Sequence, residues 1–131
     1  MPDVFANIGR VVNELIVTEH ARRDGVPVPE ILGVQAKATA LSFQRIRIAY
    51  KKIPDTMTLE DFITGPLHRL LEKQAELYQI KKNVISAISR AIKKLHRSGI
   101  LHNDLNIRNI LIQPSKQNKV YLIDLDKSNI F

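Results

Sequence analysis

The sequence contains no cysteine and no tryptophan, and its aromatic residues make up only 5% of the chain. Without cysteine, the chain can form neither a disulfide framework nor a metal site with thiolate ligands. No apolar run approaches the roughly 20 residues that a membrane-spanning helix needs, so we expect none. The start, "MPDVFANIGR", lacks the basic residues and continuous apolar block of a secretion signal. These absences fit a protein of the cytoplasm.

Basic residues outnumber acidic ones, 20 against 13, which gives a formal net charge of +7. Such a surplus favours anionic partners, namely phosphates, nucleic acid or an acidic membrane face, but it equally fits a solvated basic surface. A nucleic-acid-binding module is therefore one non-enzymatic alternative. The scarcity of aromatic residues and the lack of a recognition signature argue against it, so no nucleic-acid partner is expected.

The order of the predicted elements is helix, two strands, helices and a β-hairpin, which indicates an α+β fold. A chain of 131 residues is one domain or a piece of one. The expected elements are a helix over 4–24, strands over 31–37 and 40–50, a short helix capped by Thr58 with Asp61, a longer helical region over 66–98, as one helix or two, ended by Gly99, and a hairpin over 109–124. One buried face of the longer helix is expected from the apolar stripe Ile80, Val84, Ile88, Ile92 and Leu95.

Polar side chains are concentrated at the open end of the predicted hairpin. If the chain turns midway between Lys116 and Gln117, Asn109 lies opposite Asp124, beside the loop that carries Asp104. Amide and carboxylate oxygens suit Mg²⁺, which is commonly held by one or two carboxylates together with substrate phosphates. Asp104 could stay off the metal and accept a proton from an attacking hydroxyl, a contribution of about 10² to 10⁴ in rate.

The same residues carry a resemblance to a known family. "HNDLNIRN" (102–109) resembles the catalytic loop of protein-kinase-like enzymes, and "LIDLD" (122–126) resembles the metal-binding segment that follows it. The pattern looks most like the bacterial lipopolysaccharide core kinases, nearest the branch that phosphorylates 3-deoxy-D-manno-octulosonic acid (Kdo). The resemblance implies a protein-kinase-like fold of the α+β class, present in part.

The resemblance also implies roles for individual residues. Asp104 is the catalytic base, His102 orients the loop, and Asn106 helps to position Asp104 or the phosphates. Asn109 and Asp124 bind the nucleotide by holding Mg²⁺. For His102 the alternative of an ordinary buried histidine stays open, and for Asn106 that of an amide that only satisfies the loop. For Asp126, a structural role and a second metal contact remain equally open.

Two further segments match the family. "NELIVTEHARRDGVPVPE" (13–30) resembles its helix with a central glutamate, so Glu14 would pair with the phosphate-binding lysine; a surface glutamate is the alternative. "YKKIPDTMTLEDFI" (50–63) is similar to the segment that lines the adenine pocket. The lysine and a Gly-rich loop would precede residue 1, and later helices would follow residue 131. The chain therefore resembles a kinase trimmed at both ends, with 1–52 a partial small lobe and 53–131 a partial large lobe.

The function that the resemblance implies is transfer of the γ-phosphate of ATP to a hydroxyl, with Mg²⁺ as cofactor and a Kdo sugar or anionic glycolipid of the lipopolysaccharide core as acceptor. Peripheral contact with the cytoplasmic face of the inner membrane is left open. The alternatives are a truncated pseudokinase-like protein without turnover and an atypical protein Ser/Thr kinase-like enzyme. A non-haem iron site, which also begins His-x-Asp, conventionally needs a later histidine, and none follows Asp104.

Overall fold

The structure is a computed structural model that describes residues 2–38 and 44–131. The helices in these ranges are α1 (Pro2–Arg23), α2 (Leu59–Phe62) and α3 (Gln74–Arg97). The strands are β1 (Ile31–Ala38), β2 (Gln44–Tyr50), β3 (Met57–Thr58), β4 (Ile100–Leu101), β5 (Ile110–Gln113), β6 (Lys119–Leu122) and β7 (Asn129–Ile130). Of the described helices, none combines the length and apolarity needed to cross a bilayer.

The described strands form three small antiparallel sheets. β1 pairs with β2, β5 lies between β3 and β6, and β4 pairs with β7. The element order and the hairpin agree with the predicted α+β class. The first part of the second predicted strand, residues 40–43, lies outside the described residues.

Among the described residues, one hydrophobic core cluster joins elements from both halves of the chain. Val17 and Ala21 of α1 pack in one buried cluster with Leu95 of α3 and with Ile112 and Leu122 of the hairpin. Because each of these elements buries only one face, the helices and the hairpin need one another to cover their apolar sides. The division into two lobes at residue 52 stays a prediction.

The predicted apolar stripe of the longer helix faces this core. Val84 and Leu95 are buried, and Ile80 and Ile88 pack against the cluster, whereas Ile92, the fifth predicted member, is half-buried and lies outside it. Gly99 follows the helix with a φ of +76°, a left-handed conformation that glycine adopts without the steric penalty of a Cβ. The predicted helix stop is therefore confirmed.

The start of the longer helical region differs from the prediction. Pro66, expected in a first turn, lies inside a π-helical turn, Ile63–Leu67, and α3 begins only at Gln74. Proline lacks a backbone N–H and its ring crowds the preceding turn, so a regular α-helix does not continue through it. The cap of the short helix is as predicted, since Thr58 Oγ1 accepts a hydrogen bond from the Asp61 N–H at 3.1 Å.

Candidate active site

At the open end of the β5–β6 hairpin, the loop of residues 102–109 lies next to the segment of residues 122–126. The register of the two strands differs from the predicted one. Ile110 pairs with Leu122, so Asn109 faces Ile123 rather than Asp124. The Ile123 N–H donates to the Asn109 carbonyl at 3.0 Å. The predicted pairing of Asn109 with Asp124 is therefore wrong by one residue, although both lie at the same end of the hairpin.

The cause of this shift is the turn. Residues 114–118 form a loop with an odd number of positions, centred on Lys116. The loop begins as a 3₁₀ turn, and both Gln117 and Asn118 have left-handed backbone, with φ of 56° and 58°. A turn centred on a residue rather than on a peptide bond moves the pairing partner by one position.

His102 joins the loop of residues 102–109 to the segment of residues 122–126. The Asp104 N–H donates to its Nδ1 at 3.2 Å, and its Nε2 lies 3.0 Å from the Ile123 carbonyl. Because Nδ1 accepts, the hydrogen of the neutral imidazole is on Nε2, which donates to Ile123. The ring is buried, so both bonds form away from competing water. His102 thus holds the backbone on either side of the candidate site in one arrangement.

Two amides hold the loop around Asp104. Asn109 is buried, and its Nδ2 donates a hydrogen bond to the Asp104 carbonyl at 2.7 Å. The other polar atom of this amide, Oδ1, can only accept. Asn106 donates to the same carbonyl at 3.2 Å, while its Oδ1 accepts from the Arg108 N–H at 2.9 Å. Asn106 therefore satisfies the loop and also contacts the backbone of Asp104, while its role in positioning Asp104 or the phosphates for catalysis stays a prediction.

The Asp104 carboxylate itself faces a lysine. Lys127 Nζ lies 3.0 Å from Asp104 Oδ2. This hydrogen bond, with the charge of the ammonium, lowers the pKa of Asp104 below its ordinary value and raises the pKa of Lys127. Asn103 donates to the Lys127 carbonyl at 2.8 Å. Sequence reasoning missed this lysine, although it directly follows the metal-binding segment.

Asp124 has an unusual backbone and a raised pKa. Its φ is 61°, in a left-handed region that few residues other than glycine occupy but that aspartate tolerates better than most. Desolvation beside the cavity raises the pKa of its carboxyl although the residue is exposed, and the proximity of the Asp126 carboxyl adds to the increase. Asp126 Oδ1 is buried without a hydrogen-bond partner in the described part of the chain. Strained backbone and crowded carboxyls of this kind are concentrated at functional sites.

A cavity of about 460 Å³ opens beside Asp124. Its walls include Ile53, from the segment predicted to line an adenine pocket, and Leu111 and Leu122 from the hairpin. Glu14 reaches it from α1. A mostly apolar cavity of this volume, with a few polar groups on one side, is typical of sites for small ligands.

Glu14 lies in this cavity rather than on an open surface. The Tyr50 hydroxyl donates a hydrogen bond to the Glu14 carboxylate. Burial, and then this bond to Glu14, raise the pKa of Tyr50. Sequence reasoning did not single out Tyr50, which is the last residue of β2 and 36 positions from its partner.

Asn13 links α1 to the segment after Asp124. Its Nδ2 donates to the Asp126 carbonyl at 3.0 Å and to the Ser128 carbonyl at 2.8 Å. The partners are 113 and 115 residues apart along the chain, so no local pattern could have predicted the contact. Through Asn13, the helix that carries Glu14 is tied to the segment that carries Asp124.

The oxygen-bearing side chains at this end of the hairpin suit a hard divalent cation that takes its remaining ligands from the substrate. No group of three or more His, Asp or Glu residues that could hold a metal occurs in residues 2–38 and 44–131. The candidate ligands are the Asn109 amide oxygen and the Asp124 carboxylate, with Asp126 nearby. Such a set of one or two carboxylates and an amide suits Mg²⁺, which takes further oxygens from water and phosphate.

Comparison with known proteins first defines the fold. The chain is similar to a solved structure, WaaP in complex with acyl carrier protein, with a TM-score of 0.68 and 18% sequence identity. The match covers 91% of this chain and 49% of that one. The predicted class, an α+β fold of protein-kinase-like type present in part, is therefore confirmed.

Sequence similarity then defines the family. Residues 5–130 match the lipopolysaccharide kinase (Kdo/WaaP) family, and the chain belongs to it. The 3-deoxy-D-manno-octulosonic acid kinase of Vibrio cholerae is 31% identical over 119 residues, which cover 90% of this chain and 44% of the relative. That of Haemophilus influenzae is 35% identical over 104 residues, 79% of this chain and 39% of the relative. The chain thus spans less than half the length of these relatives.

Proposed function

We propose that the chain contributes the catalytic loop and the metal-binding segment of an ATP-dependent kinase that phosphorylates a sugar hydroxyl of the lipopolysaccharide inner core, with Kdo as the favoured acceptor. The observation that carries this proposal is the buried His102 imidazole, which is hydrogen-bonded at once to the Asp104 loop and to the residue before Asp124. Family membership supports the phosphotransferase class, and the names of the relatives support Kdo.

In the proposed reaction, Asp104 is the base. Asn106 and Asn109 donate to its backbone carbonyl, so they fix the loop while leaving the carboxylate to reach an acceptor. Lys127 lies against that carboxylate, and its ammonium lowers the pKa of Asp104. As the oxygen of the acceptor hydroxyl attacks the γ-phosphorus, Asp104 takes up the proton, and the bond from the γ-phosphorus to the leaving ADP oxygen breaks.

The nucleotide side of the proposed site is built from Asn109, Asp124 and Glu14. Because the Asn109 amide nitrogen is bonded to the loop, its oxygen remains to hold the cation together with Asp124. Bound magnesium would supply positive charge that neutralises the phosphates. The apolar cavity beside Asp124 is suited to the adenine ring. Glu14 borders the same cavity and is the proposed partner of a phosphate-binding lysine.

The acceptor is proposed to be an anionic sugar or glycolipid. A formal net charge of +7 would favour such a molecule over a neutral one. We also propose that the protein works in the cytoplasm with peripheral contact at the inner membrane, where a lipid-linked acceptor would be held.

The first test is thermal stabilisation of the chain by ATP with and without Mg²⁺. A ligand that binds only the folded state raises the melting temperature. We expect stabilisation that needs the metal and that is lost in Asp124→Asn. Asp24→Asn is the control, because Asp24 is an exposed carboxylate just after α1 that does not line the cavity. Equal stabilisation of all three proteins, or none in the unchanged chain, would contradict the proposed site.

The second test concerns turnover and acceptor. Transfer of labelled γ-phosphate to a Kdo-bearing lipid A precursor, absent in Asp104→Asn, is the expected result. Because general-base help is worth about 10² to 10⁴ in rate, the loss should be far outside assay error. Binding of ATP and Mg²⁺ without transfer to any acceptor would support the pseudokinase-like alternative instead, and transfer to a serine peptide would support a protein kinase.

A further inference from the structure

Lys127 is held against the catalytic loop by its side chain and by its backbone. Its ammonium contacts Asp104 Oδ2 at 3.0 Å. Its carbonyl accepts a hydrogen bond from Asn103, the neighbouring loop residue, at 2.8 Å. Two adjacent loop residues therefore fix one lysine that lies 23 and 24 positions away along the chain.

Stability alone does not explain this arrangement. The Lys127 and Asp104 side chains are 51% and 38% exposed, and ion pairs with that exposure add little to the stability of a fold. An ammonium has three N–H donors, and the Asp104 contact uses one of them. The remaining donors are left for a group that approaches the carboxylate.

The other charged side chains around the site do not contact the Asp104 carboxylate in this way. Arg108 is in the loop but pairs with Glu60 at 3.1 Å. Asn106, two residues after Asp104, is neutral, and its amide is used within the loop. Arg10 of α1 and the Asp126 carboxyl act on Lys127 only through their charge. Among the described ion pairs, the one cation in contact with Asp104 is Lys127.

The chemistry of phosphoryl transfer gives such a cation a use. The acceptor hydroxyl lies between its base and the phosphorus that it attacks, so the γ-phosphoryl group comes close to Asp104. Charge spread over the phosphoryl oxygens is stabilised by positive groups already positioned for it. An ammonium at 3.0 Å from the base is within reach of those oxygens after a small change of its flexible stem.

We propose that Lys127 is a phosphoryl-binding residue, whose ammonium contacts the γ-phosphate of bound ATP while it remains paired with Asp104. The inference rests on the proposed function, because it needs ATP in the cavity beside Asp124. It predicts that Lys127 distinguishes a nucleoside triphosphate from a diphosphate.

The test compares the affinities of the chain for ADP and for the β,γ-imido analogue of ATP, both with Mg²⁺, by titration calorimetry. In Lys127→Met we expect the affinity for the triphosphate to fall about tenfold or more, as for loss of a charge-assisted hydrogen bond, with the affinity for ADP unchanged. Lys127→Arg should keep most of the preference for the triphosphate. Lys82→Met, which removes an exposed charge from α3, should change neither affinity.

The outcomes separate this inference from the proposed function. An equal fall in both affinities in Lys127→Met would mean a merely structural lysine and would overturn the inference. Unchanged affinities in that variant would overturn it too, while nucleotide binding by the unchanged chain would leave the proposed function standing. If the unchanged chain binds neither nucleotide, the proposed function fails and the inference fails with it.

Discussion

The carboxyl-terminal segment, residues 99–131, and the amino-terminal unit, α1 with β1 and β2, are organised by different interactions. In the segment, Leu122 is fully buried. The side chains of His102 and Asn109 form hydrogen bonds with the backbone carbonyls of Ile123 and Asp104. In the amino-terminal unit, none of the described side chains of β1 and β2 belongs to the buried core cluster, and Leu32 of β1 is 63% exposed.

This difference indicates that the carboxyl-terminal segment determines most of the geometry of the candidate site. The backbone around Asp104 and Asp124 is held by hydrogen bonds and by neighbouring buried apolar residues. Small movements there would therefore break several interactions at once. The amino-terminal unit supplies Glu14 and one wall of the cavity. It is joined to the segment by the buried side chains of Val17 and Ala21 and by long-range hydrogen bonds such as those of Asn13.

The largest expected effect is loss of a core side chain under the hairpin. Leu122→Ala should lower the free energy of unfolding by about 2–5 kcal/mol, because the removed methyl groups leave a cavity that the packed core does not fill. Leu32→Ala, in the amino-terminal unit, should change it by no more than about 0.5 kcal/mol. Urea unfolding measures both. Equal effects would break the comparison.

The second-largest effect is expected at two glycines with left-handed backbone conformation, one in each region. Gly99→Ala should cost about 2–3 kcal/mol, since φ is +76° and the added Cβ would lie 2.9 Å from the Phe131 carbonyl oxygen. Gly25→Ala should cost about 1 kcal/mol, because φ is +75° but nothing lies within 4 Å. Thermal unfolding of both variants separates backbone strain from steric contact. A larger effect at Gly25 would contradict the reasoning.

A pair of histidines sharpens the contrast further. His102→Ala should destabilise the fold by about 1–3 kcal/mol, because it leaves the Asp104 N–H and the Ile123 carbonyl without partners in a buried place. His20, on α1, is 39% exposed, and its Nε2 lies 2.7 Å from the Ser98 carbonyl oxygen and 3.6 Å from Asp24 Oδ2. His20→Ala should therefore cost less than about 1 kcal/mol, since water can replace the imidazole. Chemical denaturation of both variants tests the order.

The smallest expected effect is at the link between the two regions. Asn13→Ala removes two hydrogen bonds to the Asp126 and Ser128 carbonyls and should cost about 1–2 kcal/mol. Amide exchange should rise in residues 124–130 and not in α3. The control is Asn83→Ala, whose side chain bonds only Gln79 on an exposed helix surface. If faster exchange spreads evenly over the chain, the link is not local.

Much of the fold could be predicted because its signals are local. The apolar stripe of α3, the Gly99 stop and the Thr58 cap depend on residues within a few positions of one another, and all three agree with the structure except for Ile92, which lies outside the core cluster. The register of the hairpin could not be predicted, because it depends on two consecutive left-handed residues, Gln117 and Asn118, neither of them glycine. The π-helical turn around Pro66 is a similar local exception.

The sequence by itself determined the kinds of residue at the candidate site and their order, because Asp104, Asn109 and Asp124 lie in two short segments, 102–109 and 122–126, whose spacing is characteristic. Only the tertiary structure decided which distant groups join them: Lys127 at Asp104, Tyr50 at Glu14, and Asn13 on the segment after Asp124. The physical reason is range. Helix periodicity, caps and turns act over a few residues, whereas these side-chain pairs form only after packing has brought remote parts of the chain together.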